Sequence, residues 1–513
     1  MTTPRRFSDR RTFLKQAGLG LGVGVTASWG PTVVPEALAR ATGPRSLWRL
    51  DPARVQFRPE IEPIVRFIED TAREHLIEEA AHKLKTGAMA PADLTLGVFL
   101  AGIRNVKPRP VGFKFHTVLS LYSAHSLSLA ADPEDRLLPL FWALDTFKSS
   151  QAADVREGDW NLAAVDEARL PTPDQAIERL TAAFDAWDDE GADLAAAAVA
   201  RTQGAAAAME PFWRAAVRDQ RNIGHKPIFA MQCWRTLQTF GWQHAEPTLR
   251  SLAFGLLDLQ GDRSRVPLGP YASSLEQANT LRDDWTLGRL DAGATRSLVD
   301  TLRTIESDRA PAAMAEAINK GLAPEAAWDA VRLVAMELLM RKPGIVSLHA
   351  VTATNALRAI FTLSSDPTTR RLSLLQAAGW LPLYRNRVGV DPDAPRIDAL
   401  QPVDSTAATD SPEALQEIFE AVSRDRGRAA GLALGFVKRG GDPEALFSAA
   451  RRLIVRKGRD SHDYKFQAAA WEEARLAADL DTTTRLAAAS LFNAIGSRAP
   501  DAPVIERARA ALA

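Results

Sequence analysis

The stretch PEAAWDAVRLVAMELLMRK, residues 324–342, decides the fold class. Ala327, Ala330, Val331, Val334 and Leu338 fall at steps of three, four, seven and eleven, which gathers them on one face of an α-helix. Proline opens the stretch and Arg341-Lys342 close it, the charge order that a helix macrodipole favours. Leu446, Ala450, Leu453 and Ile454 repeat the pattern downstream. Ala, Leu, Arg and Glu dominate the whole chain while alternating β-branched runs are scarce, so an all-α protein is expected. Irregular stretches are expected near 148–175, 261–272 and 384–411, where Pro, Gly, Asp and Ser cluster.

Working outward from residue 324, the helices form a repeat. Four segments begin at a histidine, run as an Ala-rich helix, turn at an acidic residue and return as a second apolar helix. They are 116–148, 225–258, 349–381 and 462–495, with turns at Asp132-Pro133, Glu246-Pro247, Asp366-Pro367 and Asp481-Thr482. A further helix that opens at proline precedes three of them, at 91–107, 324–342 and 443–457, and a shorter form at 211–221 precedes the second. Of the eight histidines in the chain, four occupy this equivalent place: His116, His225, His349 and His462. Four helical pseudo-repeats can form a closed α/α ring or a HEAT-like solenoid. In an open solenoid each unit advances the chain by about 16–20 Å, which keeps the histidines apart. In a closed ring the equivalent helix starts face one axis, and four imidazoles can converge on a metal at about 2.0–2.2 Å. A histidine-rich set almost without thiolates favours iron or copper.

Lysines accompany these histidines: Lys114, Lys226 and Lys465, the last one helical turn beyond His462 and on its face. His462 and Lys465 are therefore the candidate catalytic pair, and a pocket of imidazoles and ammonium groups suits a small aromatic or anionic organic substrate. His75, Glu79 and His82 form a runner-up ligand set, because they share one face of another helix and Glu79-x-x-His82 has the spacing found in carboxylate-bridged bundles. Only one such motif is present, where two are needed. Residues 148–160, ending in Trp160, could fold over a pocket mouth. Asp145 and Asp258 are either carboxylate ligands or ordinary helix-end charges, the latter reading being favoured, and the single cysteine, Cys233, reads as a small buried hydrophobe that forms no intramolecular disulfide.

At the amino terminus, Arg10-Arg11-Thr12-Phe13-Leu14-Lys15 leads into an apolar Gly/Ala/Leu/Val segment at 16–28 and an Ala37-Leu38-Ala39 cleavage site. This reads as a twin-arginine signal over residues 1–39, with the export machinery as partner and a periplasmic or otherwise exported product. The expected organisation is then a linker at 40–56 and one helical domain at 57–513. Cleavage removes five basic and two acidic residues from a balanced chain, so the mature form carries about three net negative charges and no nucleic-acid footprint. No second apolar run reaches about 18 residues, so no permanent membrane span is expected. The glycines at 18, 20, 22 and 24 follow no strand, which excludes a dinucleotide loop. Nucleophile-elbow, phosphate-loop, paired-cysteine and covalent-haem motifs are missing as well.

His349-Ala350-Val351-Thr352 with Ala356-Leu357-Arg358, and Asp460-Ser461-His462-Asp463-Tyr464-Lys465, resemble stretches of the questin oxidase-like family. The resemblance covers about a tenth of the chain. It implies an all-helical oxidase that acts with oxygen on aromatic, polyketide-like compounds, and it would make His349, His462 and Lys465 site residues. Two readings follow: an exported metal-dependent oxidoreductase, or a non-catalytic helical-repeat scaffold that binds a partner.

Overall fold

A computed structural model describes residues 51–513 apart from 392, 406 and 410. The expected signal peptide lies outside the described residues, as does most of the expected linker. Of that linker, residues 51–56 are described, and Val55 is buried, its backbone N–H bonded to the Leu162 carbonyl at 2.9 Å. The described residues make one compact unit.

The described residues are all-α; extended pairing is confined to two isolated bridges, Arg54 with Ala163 and Arg289 with Leu322. None of the described helices is long and apolar enough to cross a membrane. Acidic caps set many helix starts. Asp366, Asp442, Asp460 and Asp479 each accept a bond from a first-turn N–H, satisfying donors that the helix leaves without an internal partner. Prolines at the first helical positions, including Pro324, Pro367 and Pro443, fix φ where no N–H is needed.

Each histidine unit is a helical hairpin. Its first helix is central, and we label these four α1 (Leu121–Ala130, entered through the single turn His116–Leu119), α2 (His225–Phe240), α3 (Ile345–Leu363) and α4 (Ser461–Arg475). Their return helices, Leu138–Arg156, Ala245–Leu256, Pro367–Val388 and Leu480–Ser490, pack on them from outside. Helix α3 packs against both α2 and α4, α4 packs against α1, and α1 with its entry turn packs against α2. Buried alanines, among them Ala124, Ala230, Ala353 and Ala470, let these neighbours approach closely, and Trp213, Trp328 and Trp380 on the surrounding helices are almost wholly buried. Burial of such a side chain contributes roughly 1.5–3 kcal/mol or more.

Several expected boundaries shift. Helix α3 starts at Ile345 after Gly344, so His349 lies one turn inside it. The helix expected to start at Pro211 begins at Ala205 and carries Pro211 internally. Glu246-Pro247 lies in the first turn of its return helix, and Asp481 lies inside a helix that Asp479 caps. Residues 148–156 are helical rather than a loop; their buried residues Lys148, Ser150 and Asp154 are polar, which hides the apolar period. Trp160 is packed against Phe254 with rings nearly parallel, so it is fixed in the body rather than free to cover a pocket. Residues 384–388 likewise continue a helix.

Candidate metal centre

The four equivalent histidines meet. One ligand nitrogen from each of His116, His225, His349 and His462 lies within 4.8 Å of the other three. Ring centroids follow one another around the cluster at 4.9 Å (His116 to His225), 4.3 Å (His225 to His349), 5.1 Å (His349 to His462) and 4.6 Å (His462 to His116). The Nε2 atoms of His225 and His116 are 3.1 Å apart, and those of His349 and His225 are 2.9 Å apart.

What each Nδ1 touches fixes the chemistry of each Nε2. His116 Nδ1 meets the Phe113 carbonyl at 2.8 Å, His225 Nδ1 the Asn222 carbonyl at 2.6 Å, and His349 Nδ1 the Ile345 carbonyl at 2.6 Å. His462 Nδ1 meets the Asp460 carboxylate at 2.5 Å. All four partners are acceptors, so each Nδ1 carries the proton and each neutral ring turns an Nε2 lone pair inward. Four lone pairs facing one another at these distances repel unless a cation lies among them. Protonating the rings is opposed by burial, which pushes His116, His225 and His349 well below the usual imidazole range, with the Lys465 charge adding to the effect. His462 is lowered too, by burial, against the opposing pull of Asp460. Its Nε2 is buried and has no hydrogen-bond partner among the described residues. Metal–nitrogen bonds of about 2.0–2.1 Å place ligand nitrogens about 3–4 Å apart, and four imidazoles gathered this closely could hold one metal ion.

The supports of His225 show what the arrangement requires. Asn222, Ile223 and Gly224 all have positive φ, at 58°, 51° and 80°, and strain of this kind costs about 1–3 kcal/mol per non-glycine residue. Asp258 accepts from Asn222 Nδ2 at 2.8 Å, Gln260 from the Asn222 N–H at 3.1 Å, and the Ile223 carbonyl accepts from the Tyr384 hydroxyl at 3.0 Å. These bonds present the Asn222 carbonyl to His225. Asp258, expected as an ordinary helix-end charge, is thus a positioning group for the site. Gly112, at φ 124°, approaches the same ring so closely that a Cβ there would come within 3.1 Å of it. Neither Gly112 nor the Asn222 turn is marked by spacing or periodicity in the sequence.

The other candidates are dispersed. Lys114 pairs with Asp154 and Glu157, both at 2.7 Å. Lys226 is wholly buried and pairs with Asp219 at 2.5 Å. Asp145 binds Arg73. His75, Glu79 and His82 lie on an exposed helix face and are not brought together with a further ligand. Cys233 is buried, and burial pushes its thiol well above the usual range. Lys465, one turn along α4 from His462, is different: its Nζ is buried without a partner among the described residues, and burial lowers the amine to about 7.

No protein-family model, curated protein or solved structure matches this chain.

Proposed function

We propose that the chain is an exported, metal-dependent oxidoreductase. In this reading the four pseudo-repeats close as a ring around one ion held by His116, His225, His349 and His462. The observation that carries it is the common orientation of four neutral imidazoles, each braced at Nδ1 by an acceptor and each turning Nε2 to the same point. Such bracing is characteristic of metal-binding histidines, because it fixes the tautomer and strengthens the donor. An all-nitrogen set supports iron or copper, and the bound metal would supply Lewis acidity and one-electron redox capacity. The chain's own residues have separate tasks. Asp460 orients His462, burial excludes water, and Lys465 Nζ, lowered to about 7, can hold or release a proton near neutral pH beside a small aromatic or anionic substrate. The questin oxidase-like stretches contain two of the four histidines together with Lys465, which supports an oxidase. The Arg10-Arg11 signal supports export of a folded, metal-loaded protein.

Elemental analysis of protein exported by its own signal tests this reading. One metal per chain is expected, lost when any of the four histidines is replaced by alanine. A metal-free product, unchanged in ligand binding across all four variants, overturns it and leaves the scaffold reading.

A further inference from the structure

Helices α1 to α4 leave the histidines in the same direction, since residues further along each of them meet again around one gap: Ser123 of α1, Ile228 and Gln232 of α2, Thr352 of α3 and Lys465 of α4. The gap has room for about one water molecule, too little for any organic ligand. Ile228, Thr352 and Lys465 each follow a cluster histidine by three residues, and so stand one helical turn inward on the faces that carry His225, His349 and His462. Side chains on a helix lean towards its N-terminus. The four-carbon stem of Lys465 accordingly carries its amine back towards the histidines, and its charge acts on all four imidazoles.

The surroundings leave that amine unused. Lys465 is 3 % exposed, and its Nζ has no hydrogen-bond partner among the described residues. Carboxylates along the inner side are taken: Glu472 by Arg235 at 2.7 Å and Asn355 at 2.9 Å, and Glu473 by Asn355 at 2.9 Å and Arg332 at 3.2 Å. Asp460, whose charge does reach Lys465, is bonded to His462 Nδ1 and to the His462 backbone N–H. A buried ammonium without a counter-charge is among the costliest exceptions to polar satisfaction, and burial favours the neutral amine. A neutral amine is a nitrogen donor that here lacks only an acceptor for its lone pair. The acceptor due at this place is the cation among the four inward Nε2 atoms, of which His462 Nε2 has no hydrogen-bond partner either among the described residues.

We propose that Lys465 is a fifth nitrogen ligand, its Nζ taking the inner coordination position of the ion that His116, His225, His349 and His462 hold. The inference deepens the oxidoreductase reading and rests on its metal centre. As the ion binds, the Lys465 ammonium gives one proton to solvent, and the lone pair so freed forms the bond to the metal. Two hydrogens stay on the bound amine. Thr352 Oγ1 and Gln232 Oε1, which line the gap and are buried without partners among the described residues, are the acceptors that one water in the gap links to them. With the inner position filled by the chain, an exchangeable ligand approaches from the outer side, where His462 is partly exposed.

Titration of the full-length protein with cobalt(II), followed by visible absorption, tests this. Wild type is expected to show the weaker bands of a five-coordinate ion. Lys465→Leu, which removes the donor, should show the more intense bands of a four-coordinate one, with cobalt affinity lowered about tenfold or more. Lys465→Arg keeps a charge that cannot be discharged and should bind most weakly of all. Without metal Lys465 is an unpaired buried charge, so its replacement by leucine does not threaten folding, and Lys465→Ala provides a second variant without a donor. Wild-type spectrum and affinity in Lys465→Leu and Lys465→Ala overturn the proposal and leave the amine bonded to internal water alone. Lowered affinity with an unchanged spectrum overturns it as well, because that is the mark of a structural role, and so does cobalt binding by Lys465→Arg as tight as in wild type. Failure of the wild type to take up cobalt at all overturns the metal centre itself, and this ligand with it.

Discussion

Two buried lysines, one on α2 and one on α4, differ in a way that separates structure from chemistry. Lys226 is surrounded by groups that use its charge: Asp219 at 2.5 Å and the Asp258 carbonyl at 2.8 Å, and burial lowers the amine only to about 8. It belongs to the scaffold behind His225. Lys465 is buried to a similar degree, lacks any such partner among the described residues, and lines a gap with room for about one water molecule. Behind His225, Lys226 and Arg221 are paired with Asp219, whereas Lys465 Nζ among the four helices has no partner among the described residues. A protein tolerates that second arrangement at a functional site and seldom elsewhere.

Breaking the region inside the four helices is expected to have the largest effect. Replacing any one of His116, His225, His349 or His462 by alanine should lower metal affinity by more than about 100-fold, measured by competition with a chromophoric chelator, because even an indirect brace is worth about 10–100-fold. Asp460→Asn should fall within that lower range.

The two lysines themselves give opposite signs in chemical denaturation. Lys226→Met removes one of the two cations paired with Asp219, Arg221 remaining at 3.1 Å, and should destabilise by about 1–3 kcal/mol, while Lys465→Met should be neutral or stabilising by about 1 kcal/mol or more. That gain depends on pH in a fixed direction. Lys465 titrates at about 7 when folded and near 10.5 when unfolded, so between these values the unfolded chain holds the extra proton and stability rises with pH. The advantage of Lys465→Met is therefore greatest at pH 7 and below and shrinks towards pH 10.

Acid acts on the imidazoles in the same sense. His125 and His244 are held near 4 by burial, and the four cluster rings are lowered too. Below 6.5 the unfolded chain takes up protons that the folded chain refuses, so metal-free protein loses stability as pH falls from 6.5 towards 4. Thermal melts across that window check it. The smallest effects should come from His75→Ala and His82→Ala, which leave metal content unchanged; any loss of metal would revive that helix as a site.

Much of this was legible in the sequence because ligands and repeats share a register. His225 opens its helix, His462 follows an Asp cap, and the turn at Asp366-Pro367 is announced by residues whose local chemistry is unambiguous. His349 was harder to place, since Gly344 rather than the histidine begins the helix. Residues 148–156 concealed their helix because the residues buried there, Lys148, Ser150 and Asp154, are polar. The positive-φ corner at Asn222-Ile223-Gly224 carries almost no signal, being maintained by Gln260, Asp258 and Tyr384 from distant parts of the chain. Likewise, that Lys465 lacks a counter-ion while Lys226 has one depends on Asp219 and on a gap, neither of which spacing reveals.

Every imidazole brace comes from two to four residues upstream of the ring it holds: Phe113, Asn222, Ile345 and Asp460. Ligand and brace thus form a cassette a few residues long. Copying such a cassette along a chain duplicates a nitrogen donor already in its working tautomer, so a tetradentate site can arise from serial gene duplication without each copy having to evolve its own orientation afresh.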